Sequence, residues 1–234
     1  IYRGDLFPQD AYGNAFICEP SANFIRRNIL TEQDGLVSAR NAYEQSEFLA
    51  STDELFRPVN LATGPDGALY IADMYHGIIQ HRFFLTSYLR EQAHDRGIDK
   101  VVDHGRIWRV VPGGKRPQPV VRLTALSSVE LVKQLENANG TRRDTAQRLL
   151  VERNDASVAP ALKTLAASAS NPAARLHALW TLEGIHQLDD ATVNAALKDS
   201  HGKVRAAGVR QAQPKVDRAR RCSASRWTAR RPPR

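Results

Sequence analysis

Eight residues, Pro112 to Pro119 (PGGKRPQP), separate two periodicities that cannot belong to one layer of structure. Before them, apolar side chains recur at every second residue in short runs punctuated by Gly, Pro and Asp; after them, Ala and Leu recur at spacings of three and four. A period of two puts apolar groups on one face of a strand, and a period near 3.6 puts them on one stripe of a helix. Proline lacks the donor that either ladder needs, so the run breaks both. The chain is therefore expected to hold an all-β part over residues 1–112, a linker over 113–122 and a helical part over 123–213.

In the first part, AFICE and NFIRRNIL are short β-prone runs separated by PSA, SEFLAS is a further candidate strand, and PVNLAT leads through GPDG into ALYIAD. In that turn Pro65 presets φ near about −65°, Asp66 can bond its own backbone and Gly67 accepts a positive φ. GRIWRVVP supplies a third strand. Between the second and third lies an insertion near 76–104, whose stretch Phe83 to Ala93 has helical spacing. Residues 57–112 thus give the strands of one β-propeller blade in order, and 14–50 most of a preceding one, with a sandwich as the alternative architecture. About two blades cannot close a ring, and open sheet edges need cover. With an N-terminus that lacks Met and opens in mid-fold, this suggests a fragment.

The second part contains SSVELVKQLENA, TRRDTAQRLLVERN, ASVAPALKTLAASA, PAARLHALWTLEGI, DATVNAALKD and HGKVRAAGVRQA, which pair into three helical hairpins. Arg143, Arg175 and Arg205 recur along it, each followed three residues later by Ala146, Ala178 or Gly208. Small residues there permit close helix approach, and Asn171-Pro172 and Asp199 stand where caps belong. This pattern reads as a short HEAT-like solenoid. The three arginines, with Leu179 and Trp180, are expected to be structural.

The net charge of +8 suggests nucleic acid until it is located: residues 215–234 alone carry +7. A near-neutral body with a basic tail is not the basic face of a nucleic-acid-binding domain, so none is expected as a partner. The tail, 214–234, reads as disordered or as a frame-shifted end. Cys18 and Cys222 lie in no metal-spacing motif, no CxxCH is present, and the redox compartment stays open. The N-terminus is no signal peptide, and no run is apolar enough for a transmembrane segment.

The stretch SEFLASTDELFRPVNLATGPDGALYIADMYHGIIQH, followed by GRIWRVVP, resembles a family of membrane-bound dehydrogenases from planctomycetes, verrucomicrobia and their relatives. GNAFICEPSANFIRRNIL is similar to that family's penultimate blade. The resemblance covers residues 1–112 closely and the helical repeats by architecture. It implies a glucose/sorbosone dehydrogenase-like propeller, then HEAT-like repeats, then a cytochrome-c-like domain. It also implies a periplasmic or secreted oxidoreductase acting on a sugar-like substrate. Pyrroloquinoline quinone and calcium are implied for the complete propeller, and haem c for the further domain. The blades that hold the catalytic His in related enzymes have no counterpart in these residues, so activity is implied for a complete relative.

Four residues are the candidates for a site. Arg57 precedes an inner strand, where it either meets a carboxylate or quinone oxygen or pairs with Asp53 or Glu54. Asp73 and His76 follow the second strand beside Tyr75: Asp73 either orients His76 as a general base or caps a turn. Arg109 matches the arginine of the family's closing strand, which in quinone-dependent relatives faces the cofactor. Trp108, on the opposite strand face, is expected to be core or inter-blade packing. His76, His81, His94 and His104 match no zinc spacing, and calcium at Asp66 and Gly67 would need more oxygens, so no metal site is expected. Two functions compete: part of a quinone-dependent sugar or alcohol dehydrogenase, and a non-catalytic scaffold binding proteins or glycans, a protein partner meeting the helical repeats.

Overall fold

The computed structural model describes residues 1–33 and 35–213; the basic tail read as disordered or frame-shifted lies outside the described residues. The chain divides into two units, Ile1–Val121 and the residues from Arg122 onward.

The first unit holds two antiparallel sheets. Strands β1 (Ala15–Glu19), β2 (Phe24–Gln33) and β3 (Leu36–Asn41) are neighbours in that order, and β4 (Leu49–Ala50) also pairs with β2. The β1–β2 hairpin closes with Glu19 opposite Phe24, and β2–β3 with Gln33 opposite Leu36. Strands β5 (Pro58–Thr63), β6 (Leu69–Asp73) and β7 (Arg106–Val110) form the second sheet as a meander. Among the described residues the two sheets close no barrel or ring.

The β5–β6 turn shows why Gly-Pro-Asp-Gly stands there. Gly64 C=O accepts from Gly67 N–H (3.0 Å), Gly64 N–H donates to Ala68 C=O (2.8 Å), and Gly67 takes φ +84°. A type I turn followed by a left-handed residue is the three-residue hairpin geometry that favours glycine at that place. Between the sheets, Ile25, Phe56 and Ile71 are buried against Phe16, Phe48, Leu61 and Val110. Burying each such side chain contributes roughly 1.5–3 kcal/mol.

Three departures from expectation have physical causes. The run SEFLAS yields only the two residues of β4, and β3 arises from LVSARN, which has no apolar alternation because all six of its residues are exposed. The insertion helix, α1 (Ser87–Asp95), starts later than the periodicity suggested because Thr86 caps it, its hydroxyl accepting from Leu89 N–H (3.2 Å). A 3-10 turn, Arg82–Phe84, precedes it. The N-terminal segment, which gave no pattern, is anchored by Tyr2, Leu6, Phe7 and Ala11 in a core shared with Ala68 and Leu69 of the β5–β6 hairpin.

The second unit is helical: α2 (Ser128–Gln134), α3 (Gly140–Arg153), α4 (Ala159–Ser168), α5 (Pro172–Gly184), α6 (Asp190–Leu197) and α7 over 202–213. Caps come from Ser127 in a capping box with Glu130, and from Asn139, Asn171 and Asp189. The recurring arginines do one job three times. Arg143 Nη1 donates to the carbonyls of Asn137 and Ala138, Arg175 Nη1 to Ala169 and Ser170, and Arg205 Nη1 to Asp199 and Ser200. Each arginine thus holds the carbonyls six and five residues before it, fixing the turn that joins the helices of its hairpin. Ala146 and Ala178 are fully buried three residues on. At Gly208 a Cβ would stand 3.0 Å from Leu197 N and 3.3 Å from Ala196 Cβ, so α7 approaches α6 closely enough that a side chain would press on it.

Candidate functional site

The four candidate residues lie at the two ends of the second sheet. At the end of β6, Asp73 is buried and fully committed. Its Oδ1 accepts from the backbone N–H of Arg57 (2.8 Å) and of Tyr75 (2.9 Å), and its Oδ2 from the indole N–H of Trp108 (2.9 Å). Tyr75 sits at φ +45°, a conformation the Asp73 bond supports, and Arg106 stacks on its ring at 3.3 Å. Trp108 is not a core residue: β7 is an edge strand, and the residue is 43% exposed.

Arg57 latches three segments together. Its Nε donates to His76 O (3.1 Å), its Nη1 to Pro20 O (2.8 Å) and its Nη2 to Gly77 O (2.8 Å). Burial lowers its proton affinity, and the carboxylates of Glu54 and Asp73 oppose that shift. Neither Asp53 nor Glu54 is its direct partner: Asp53 accepts from Leu55 N–H, and Glu54 pairs with Arg96 at 2.7 Å. His76 Nδ1 lies 2.6 Å from Ile78 O, within the loop that follows β6. Arg57, Asp73 and His76 therefore meet, through backbone bonds rather than as an Asp–His pair.

Arg109 belongs to the other end, beside the hairpin turn. It forms an ion pair with Asp66 Oδ2 at 2.5 Å, where Tyr70 O–H also donates (3.0 Å), while Ala68 N–H donates to Oδ1 (3.1 Å). Burial alone would raise the Asp66 carboxyl; the donors from Ala68, Tyr70 and Arg109 outweigh it and hold the group below its ordinary value. These bonds occupy the oxygens a calcium ion would use.

The insertion after β6 folds back so that α1 walls a cleft of about 350 Å³. The helix contributes Tyr88, Leu89, Gln92 and Ala93, its C-cap contributes Arg96, and Arg57, Ile78, Gln80 and Ile98 are also in the lining. A second cleft of about 510 Å³ shares Ile78, Gln80, Leu85 and Ala93 and is lined further by His76, Arg90, His94 and Asp99. Sequence reading found the helix but not its function as a wall. The signal was present: Leu85, Tyr88, Leu89, Gln92, Ala93 and Arg96 follow the i, i+3, i+4, i+7 pattern of one face. Among the described residues no group of three or more His, Cys, Asp and Glu side chains is placed to hold a metal ion. No described helix is long and apolar enough to cross a membrane.

No curated protein and no solved structure matches the chain. Residues 1–114, which span both sheets and the insertion, match the model of a family described as a domain of unknown function, DUF7133.

Proposed function

We propose that these residues form a binding scaffold, with the helical unit as its protein-binding part. The observation that carries this reading is the commitment of Asp73. A general base would need Asp73 to orient His76, and its two oxygens instead accept from Arg57, Tyr75 and Trp108. The helix pairs, read as HEAT-like repeats, offer the broad regular surface on which such arrays bind. The test is a quantitative binding experiment with the full chain against candidate partner proteins. A stoichiometric partner held at micromolar concentration, and lost on deletion of residues 127–213, supports the reading; partners retained after that deletion count against it.

A second reading is that the chain is part of a periplasmic or secreted sugar or alcohol dehydrogenase of the quinoprotein type, its two sheets being propeller blades and its electrons passing to a haem domain. It is supported by the order of antiparallel sheets followed by helical hairpins. The residues present do not themselves fit the quinone or its calcium: Arg57 is spent on three carbonyls and Arg109 is turned onto Asp66. Adding pyrroloquinoline quinone and calcium to the full-length protein, with a panel of sugars and a dye acceptor, tests it. Turnover supports a dehydrogenase; absence of both turnover and quinone binding removes it.

A further inference from the structure

The charged side chains lining the cleft walled by α1 are of one sign, and the acid paired with Arg96, Glu54, lies outside the lining. The lining of this cleft holds two arginines, Arg57 and Arg96, and no carboxylate. Arg57 stays charged, because a guanidinium is not deprotonated in a protein, and its carbonyl bonds fix it in place. Arg96 gives Nη1 to Glu54, which stands outside the lining. The same lining holds the apolar side chains of Ile78, Leu85, Ala93 and Ile98, and Tyr88, which is 66% exposed. A fixed positive charge beside apolar side chains favours a ligand that brings both complements, and the volume is that of a small-molecule site.

We propose that this cleft binds a small molecule with an apolar body and one anionic group, the anion contacted by Arg96 and drawn by the fixed charge of Arg57, whose donors stay on their carbonyls, and the body lying against the apolar lining. This site is independent of whether the helical unit binds proteins and of whether a complete relative oxidises sugars.

The experiment uses the full chain and two dyes of the same apolar framework: anilinonaphthalene sulfonate, which is anionic, and phenylnaphthylamine, which is neutral. Fluorescence titration of the cooperatively folded chain is expected to show saturable one-to-one binding of the sulfonate and much weaker binding of the amine. Gln92→Trp, a half-buried position on the wall, fills the cleft and abolishes binding. Arg96→Gln weakens the sulfonate about tenfold, as loss of a charged donor should, and leaves the amine unchanged. Phe83→Ser with Phe84→Ser removes two side chains that are over 80% exposed and outside the lining, and leaves binding intact. Equal affinity for both dyes, indifference to Gln92→Trp in a folded variant, or loss of binding in the Phe83/Phe84 variant overturns the proposal. Should Gln92→Trp unfold the chain, the Arg96→Gln contrast between the two dyes decides alone.

Discussion

The indole N–H of Trp108 donates to Asp73 Oδ2 at 2.9 Å, tying an edge strand to the end of its central neighbour. The other oxygen of the same carboxylate receives two backbone donors, so Asp73 joins the start of β5, the loop after β6 and the face of β7.

Asp73→Ala is therefore expected to act on stability. It leaves the part-buried Arg57, Tyr75 and Trp108 donors without their acceptor; a fully buried donor left unpaired costs about 1–3 kcal/mol, and partial exposure puts each of these below that. Asp73→Asn keeps the shape and one acceptor oxygen and should cost less. Urea unfolding followed by Trp108 fluorescence measures both. A folded, fully stable Asp73→Ala chain would show that the carboxylate serves something other than this junction.

The arginine ladder of the helical unit makes a graded prediction. Arg143 is 2% exposed, Arg175 is 9% exposed and joined to Asp199 at 2.9 Å, and Arg205 is exposed. Lysine cannot span two adjacent carbonyls as a planar guanidinium does. Substituting lysine should destabilise most at Arg143, next at Arg175 and least at Arg205, the first by about 2–4 kcal/mol, in the range for a broken buried charge-assisted network. Urea midpoints of the three single variants give the order, and equal losses at all three positions would contradict it.

What the sequence made legible was local. The Gly-Pro-Asp-Gly turn and the cap at Asn171 act within a few residues, and their residue types announce the geometry; the recurring arginines were legible as structural, their carbonyl partners were not. What it hid was either exposed or distant. Strand β3 has no buried face and so no alternation, and Tyr2 finds Gly67 across 65 positions. At the candidate site, Arg57, Asp73 and His76 stood out by position in the hairpin. Their partners did not: Pro20 arrives from the β1–β2 turn and Trp108 from β7, and only folding turns candidate chemistry into a latch and a junction.

The Tyr2 hydroxyl donates to Gly67 O (2.7 Å) and accepts from the N–H groups of Leu6 (3.2 Å) and Phe7 (2.9 Å). A Cβ at Gly67 would come within 2.5 Å of Asp5 Oδ1 and 2.9 Å of Leu6 Cβ, at a φ that disfavours any side chain. Tyr2→Phe should cost about 1–3 kcal/mol and Gly67→Ala at least about 1 kcal/mol. Because both loosen the same docking of the N-terminal segment on the turn, the double variant should lose less than the two single losses combined. A double-mutant cycle by urea unfolding checks this, and strict additivity would separate the two sites.

Acid should loosen the hairpin end of the second sheet through Asp66. Its folded carboxyl is held below the ordinary value, burial being outweighed by the Ala68, Tyr70 and Arg109 donors. A depressed folded value means the unfolded chain takes up the proton first as pH falls. The contribution is thus complete above the unfolded value of about 4 and is lost as pH drops through the lower folded value. Amide hydrogen exchange of Leu69 and Ile71 in β6, compared between about pH 7 and pH 3 after correction for intrinsic rates, should show protection falling in acid. Asp66→Asn should begin with lower protection at neutral pH and lose less of it on acidification. An unchanged acid dependence in that variant would assign the loss to other depressed carboxylates, such as Asp10 or Glu47 of the same unit.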